Sequence, residues 1–219
     1  MTAPAARMDV VLEVGSKRVF ATAVDWPGWS RSARTEEAAL QSLLSYADRY
    51  APVAALAGFR LPAHPEPRVV ETVPGNATTD FGAPAVAARA DHRPVGEPDA
   101  ARLAALVAAT WETLDTIAAT APAALRKGPR GGGRDRDAMV AHVASAEAAY
   151  ARKVGLRLPD PAPGDRDAWM ANRAQILGVL GAPSDGERLV EPKGWPQRYA
   201  AQRVAWHVLD HVWEIQDRS

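Results

Sequence analysis

Three breaks rich in glycine and proline limit what the second half of this chain can fold into. They are GPRGGGR at 128–134, LRLPDPAPG at 156–164 and GAPSDG at 181–186. Because Gly and Pro destabilise helix interiors, the stretches around these breaks predict four separate helices. Their expected ranges are about 98–120, 135–155, 165–181 and 197–217. Four helices with such connections are typical of a bundle, so we expect an all-α four-helix bundle over 98–219.

The first half of the chain has a different pattern. Two β-branched runs at 9–14 and 18–24 flank a turn at Gly15 and predict an antiparallel hairpin. Thr35 is a good N-cap for a helix over about 36–50, resuming to about 57 because Pro52 interrupts it. A third strand is expected at 68–73. This order predicts an α+β domain over 1–82, a small antiparallel sheet with one helix.

The segment 83–97 is dominated by Gly, Pro and Ala and shows no hydrophobic period. It therefore predicts a linker between the two domains.

The N-terminal motifs resemble those of the HicB-like antitoxin fold. The resemblance lies in the turn Pro27-Gly28-Trp29 and in the helix start TEEAAL at 35–40. In that family such a domain binds a small toxin or serves for oligomerisation, and it carries no catalytic residues. The resemblance thus implies a homodimer or protein-partner surface in this half.

Three of the five histidines fall inside predicted helices. His207 and His211 are four residues apart, so they project from one helix face and can bind one ion. His142 lies among apolar residues and should face inward, where an unpaired imidazole is unfavourable. Its partner is either a carboxylate or carbonyl of a neighbouring helix, or a metal shared with the other two histidines.

This arrangement, one His in the second helix and HxxxH in the last, resembles the DinB-like (YfiT-like) superfamily over 98–219. The resemblance implies that His142, His207 and His211 bind a divalent metal, zinc or nickel. Where many members have a further His and an Arg-Gly-Gln run, this chain has VWEI at 212–215. The resemblance to the DinB-like superfamily also implies an enzyme that acts on a small-molecule substrate. This enzyme would be a hydrolase, or a transferase that uses a low-molecular-weight thiol such as mycothiol.

Other residues near the histidines are candidates for supporting roles. Glu147 and Glu214 are each a candidate for a general base or for a group that orients a metal ligand. The alternative for each is a solvated carboxylate. Trp206 and Trp213 flank the histidines; the first interpretation is that they pack in the core, and the second is that they are the walls of a pocket. The glycine-rich 128–134 lacks the Gly-Lys-Ser/Thr ending of a phosphate-binding loop and is expected to connect helices.

The charge balance, the lack of cysteine and the lack of long apolar segments limit the classes of function that we expect for this chain. The 219 residues carry 26 basic and 26 acidic side chains, so bulk charge does not favour nucleic acid. There is no cysteine, so this chain supplies no thiol or disulfide. MTAPAARMDVVLEV lacks the apolar core of a signal peptide, and no stretch suits a membrane span; we expect a cytoplasmic protein. The alternative to a metal enzyme is a non-enzymatic interaction protein whose histidines are structural or vestigial.

Overall fold

The structure is a computed structural model that describes residues 6–128, 133–162 and 164–219. Its architecture is α+β, with a four-stranded sheet in the first half and helices following it. Residues 129–132 of the predicted glycine-rich connection, and Pro163 in the next break, lie outside the described residues.

The sheet is mixed, with strand order β3-β2-β1-β4. The strands are β1 (Arg7–Val14), β2 (Val19–Ala23), β3 (Ser30–Ala33) and β4 (Glu66–Pro74). The predicted hairpin is confirmed, since β1 and β2 pair antiparallel with Val10 opposite Ala23. The expectation of an all-antiparallel sheet was wrong, because β4 runs parallel to β1. The chain crosses through two helices before β4, and such a crossover is what a parallel pair requires.

Seven α-helices lie in the described parts of the chain. They are α1 (Glu36–Ser45), α2 (Ala47–Leu56), α3 (Ala77–Phe81), α4 (Glu97–Thr120), α5 (Arg136–Ala151), α6 (Arg166–Leu180) and α7 (Gln197–Arg218). Thr35 caps α1 as predicted, its side chain accepting from the amide of Ala38. The single helix expected after it is two helices, separated at Tyr46. None of the described helices is both long and apolar enough to cross a membrane.

The Pro27-Gly28-Trp29 turn joins the two halves. Gly28 has a φ of +89°, and a Cβ there would lie 2.9 Å from Ala205 of α7. Its amide donates to Oε1 of Gln202, also on α7, at 3.0 Å. Only glycine meets both the backbone conformation and this close approach. The turn therefore sets how α7 lies against the sheet.

The four long helices begin and end close to the predicted positions. α7 contacts α4, α5 and α6, and its other side meets the sheet, where Trp206 packs edge-on against Phe20. Residues on all sides of α7 are consequently buried, from Gln197 to Ile215. This central position explains why the helix that carries two of the candidate histidines is the most enclosed of the four.

The segment predicted as a linker packs against the sheet. A short 3₁₀ helix spans Arg89–His92, and Ala88 and Val95 are buried. The amides of Ala85 and Val86 donate to the carboxylate of Glu13 on β1. One continuous hydrophobic core includes residues of the sheet and of the long helices. The division into domains at this segment stays a prediction.

Candidate metal centre

His142, His207 and His211 come together where α5 crosses α7. One ring nitrogen from each lies within 4.8 Å of those of the other two. The ring centroids are 5.1 Å apart for His142 and His207, 5.0 Å for His142 and His211, and 4.7 Å for His207 and His211. The predicted convergence of three imidazoles from two helices is thus present in the fold.

The distances suit one shared ion. Nε2 of His142 and Nε2 of His207 are 3.2 Å apart. Two nitrogens that are each about 2.0–2.1 Å from one tetrahedral ion are separated by about 3.3 Å. The same contact also suits a hydrogen bond between two neutral imidazoles, in which one ring donates and the other accepts. The geometry fits a metal without requiring one.

The surroundings favour neutral imidazoles at this centre. Burial, reinforced by the neighbouring His211 and His142, lowers the pKa of His207 to about 2. Burial also lowers the pKa of His142, with a smaller contribution from the charge of Arg134. A neutral ring keeps the lone pair that a metal ligand needs. The rings of His142 and His207 are therefore suited to bind a cation at neutral pH.

Glu214 lies beside this centre, as the helical spacing predicts. Its Oε2 is 3.3 Å from Nδ1 of His211, and its Oε1 accepts from Arg218 at 2.7 Å. A carboxylate on Nδ1 fixes the tautomer that leaves Nε2 free for a cation. This contact suits an orienting role for Glu214 rather than direct contact with a substrate.

Glu147 does not lie at the centre, which corrects the expectation of a base or ligand-orienting group there. Five residues after His142, it points about 140° away around the helix. It is 1% exposed and accepts from the indole of Trp169 at 2.6 Å and from Nε of Arg173 at 3.3 Å. Burial raises its pKa, an effect that the Arg173 guanidinium opposes. Glu147 thus belongs to a buried ion pair between α5 and α6.

The two tryptophans have separate surroundings. Trp213 is two residues after His211, about 160° around the helix, and packs edge-on against Tyr46 at 4.8 Å. Trp213 is a buried core residue, as the core-packing interpretation expects. Trp206 does line a small cavity, but that cavity lies between α7 and the sheet. Its ring centroid is 6.3 Å from that of His207.

Sequence reasoning missed two residues that adjoin the centre, Tyr150 and Arg203. The Tyr150 ring on α5 lies edge-on to His207, with centroids 5.6 Å apart. Nη2 of Arg203 donates to the Tyr150 hydroxyl at 3.3 Å. Helical spacing could have identified both residues from the sequence, because Arg203 is four residues before His207 and Tyr150 is eight residues after His142.

The chain was compared with protein-family models, curated proteins and solved structures. None of the three gave a match. The resemblances to the DinB-like superfamily and the HicB-like fold therefore stay predictions from sequence motifs.

Proposed function

We propose that this protein is a divalent-metal-dependent enzyme of the DinB-like type, with α4–α7 as its four-helix bundle. The observation that carries the proposal is the convergence of His142, His207 and His211. Three nitrogen ligands leave coordination positions for water or substrate, as a catalytic rather than a structural site requires. Zinc or nickel suits these ligands.

The reaction we propose is hydrolysis, or transfer of a low-molecular-weight thiol, on a small-molecule substrate. A bound divalent ion lowers the pKa of a coordinated water or thiol, which supplies a nucleophile at neutral pH. The chain has no cysteine, so a reacting thiol would come from a cofactor such as mycothiol. His142, His207 and His211 would hold the ion, and Glu214 would orient His211.

A second candidate is a non-enzymatic interaction protein with a HicB-like first half. The observation that favours it is β4, an edge strand on which Val69 and Val70 are exposed. Such an edge offers unpaired backbone groups to another strand, from a second copy or a protein partner. In this alternative the three histidines are structural or vestigial. For either function we propose a cytoplasmic location.

Metal content separates the two candidates. We expect purified protein supplied with zinc to hold about one ion per chain, and His207→Ala to lose most of it because a tridentate site loses one ligand. Inductively coupled plasma mass spectrometry after dialysis measures this. His64→Ala is the matched control, since His64 is exposed and lies in a different part of the fold.

Melting temperatures of both variants show whether the fold is retained. Wild-type protein that stays free of zinc and nickel after loading would overturn the enzyme proposal. Equal zinc in wild type and His207→Ala, with both folded, would place the ion elsewhere.

A further inference from the structure

Arg203 is a buried charge with unused hydrogen-bond donors. It is 7% exposed, and only its Nη2 has a hydrogen-bond acceptor, the Tyr150 hydroxyl. Its Nε and Nη1 are buried and have no partner in the described parts of the chain. Burying a charged group whose hydrogen-bond donors lack acceptors is unfavourable. A bound group that accepts hydrogen bonds from Nε and Nη1 would stabilise the buried guanidinium.

The surroundings of Arg203 are aromatic. The guanidinium carbon lies 4.9 Å from the ring centroid of Trp206, 5.5 Å from Tyr150 and 5.9 Å from Trp195. Aromatic rings stabilise a cation without satisfying its N–H groups. Glu13 is the acidic group whose pKa Arg203 influences, but its oxygens already accept from Thr79, Ala85 and Val86. The guanidinium is held in place with donors left over.

Tyr150 lies between Arg203 and His207. Arg203 is one turn before His207 on α7, and Tyr150 contacts both, with its hydroxyl on Arg203 and its ring against His207. The Tyr150 hydroxyl accepts from Arg203, so its own proton remains to donate. This contact fixes the position of the guanidinium and leaves its Nε and Nη1 without an acceptor in the described residues.

Arg203 also lines a cavity of about 30 Å³ between α7 and the sheet. The walls include Ser30 and Thr22 of the sheet, with Trp206 and Gln202 of α7. A cavity of this size holds one small group, since one water needs about 10–15 Å³ by the same measure. Glu13 and Asp91 face the same cavity and would repel a doubly charged group more strongly than a singly charged one.

We propose that Arg203 is an anion-binding group that takes the carboxylate of a small molecule in the cavity between α7 and the sheet. A planar monoanion suits both the guanidinium and the small volume. Carboxylate binding at this cavity does not depend on the proposed metal function. It also gives the first half of the chain a role, because the sheet closes the cavity.

Titration with sodium acetate and sodium formate tests carboxylate binding in the full-length, zinc-loaded protein. The signal is the Nε–H resonance of Arg203 in ¹H–¹⁵N spectra, assigned by its loss in Arg203→Lys. We expect the chemical shift of this resonance to change as acetate is added and to reach a plateau. The Trp206 indole resonance serves as a second signal, which the variants retain.

Variants show whether Arg203 is responsible. We expect Arg203→Gln to weaken acetate binding about tenfold or more, and Arg203→Lys to weaken it less, because Lys keeps the charge without the planar fork. Arg152→Gln is the matched control: it removes the same charge from an exposed position two residues after Tyr150. If Arg203→Gln does not fold, the acetate affinity of Arg203→Lys and the response of the wild-type Nε–H resonance still test whether Arg203 binds acetate.

Each outcome bears on the proposal. No saturable shift of the Nε–H resonance, or equal acetate affinity in folded Arg203→Gln and wild type, would overturn it. Tighter binding of inorganic phosphate than of acetate would overturn the carboxylate assignment. The zinc content of Arg203→Gln should equal that of wild type. If wild type binds no zinc, acetate titration of the metal-free protein still tests Arg203 by itself.

Discussion

Glu147 and Glu214 are carboxylates on the two helices that carry the histidines, yet their surroundings give them different roles. Glu147 is enclosed by Trp169 and Arg173, so its charge is balanced inside the core. Glu214 is partly exposed and lies between His211 and Arg218. The first therefore contributes to folding, and the second contributes to the orientation of an imidazole.

Substitution of each carboxylate by its amide should separate these roles. We expect Glu214→Gln to weaken zinc binding about tenfold with little change in melting temperature, because the orienting charge on His211 is lost. Glu147→Gln should lower the free energy of unfolding by about 1–3 kcal/mol, because Arg173 loses its buried partner and keeps only Asp115. Zinc competition with a chelator and urea unfolding measure the two effects. Loss of zinc affinity in Glu147→Gln, with the fold stable, would contradict this division.

At the scale of elements, the position of α7 depends on its contact with the turn before β3. Trp29 in that turn is fully buried, stacks on Tyr50 at 5.2 Å and donates its indole N–H to the carbonyl of Leu43. Gly28 meets the backbone of α7 on the other side. The turn is thus wedged between α1, α2 and α7, and it connects the sheet to the helix that carries His207.

Gly28→Ala tests this contact, and Gly58→Ala is its matched control. Both glycines have positive φ, +89° and +81°, but a Cβ at Gly58 would meet no atom within 4 Å. Each substitution should cost about 1–3 kcal/mol of backbone strain, and Gly28→Ala about 1–3 kcal/mol more because its methyl overlaps α7. Chemical denaturation of both variants gives the difference. Equal losses of stability would show that α7 does not press on the turn.

At the scale of the whole molecule, the sheet and the long helices share one hydrophobic core. Gln202 of α7 donates to the carbonyls of Ala23 and Val24, and Tyr50 of α2 donates to that of Pro27, so polar contacts accompany the apolar ones. Val95 of segment 83–97 belongs to this core, whereas Ala88 packs with Val11 and Val73 of the sheet. The two halves are thus joined by apolar and polar contacts.

We therefore expect the chain to unfold in a single transition. Far-UV circular dichroism, dominated by α4–α7, and tryptophan fluorescence, which includes Trp29, should give coincident urea curves. Trypsin should leave Arg89 uncut under native conditions, since it lies in the 3₁₀ helix of the segment that packs on the sheet. Two separate transitions, or early cleavage at Arg89 into stable halves, would support independent domains instead.

The local features of this protein can be predicted from its sequence. The hairpin, the Thr35 cap, the limits of the long helices and the spacing of His207 and His211 depend on residues within a few positions of one another, and periodicity and capping report such interactions. His142 was also found, because an imidazole among apolar helix residues needs a partner. Tertiary structure alone decided that β4 runs parallel to β1, that Glu147 pairs with Arg173, that Trp213 packs against Tyr46 and that Arg203 is buried beside Tyr150. These features depend on which elements lie against each other, and partners far apart in the chain leave no local pattern.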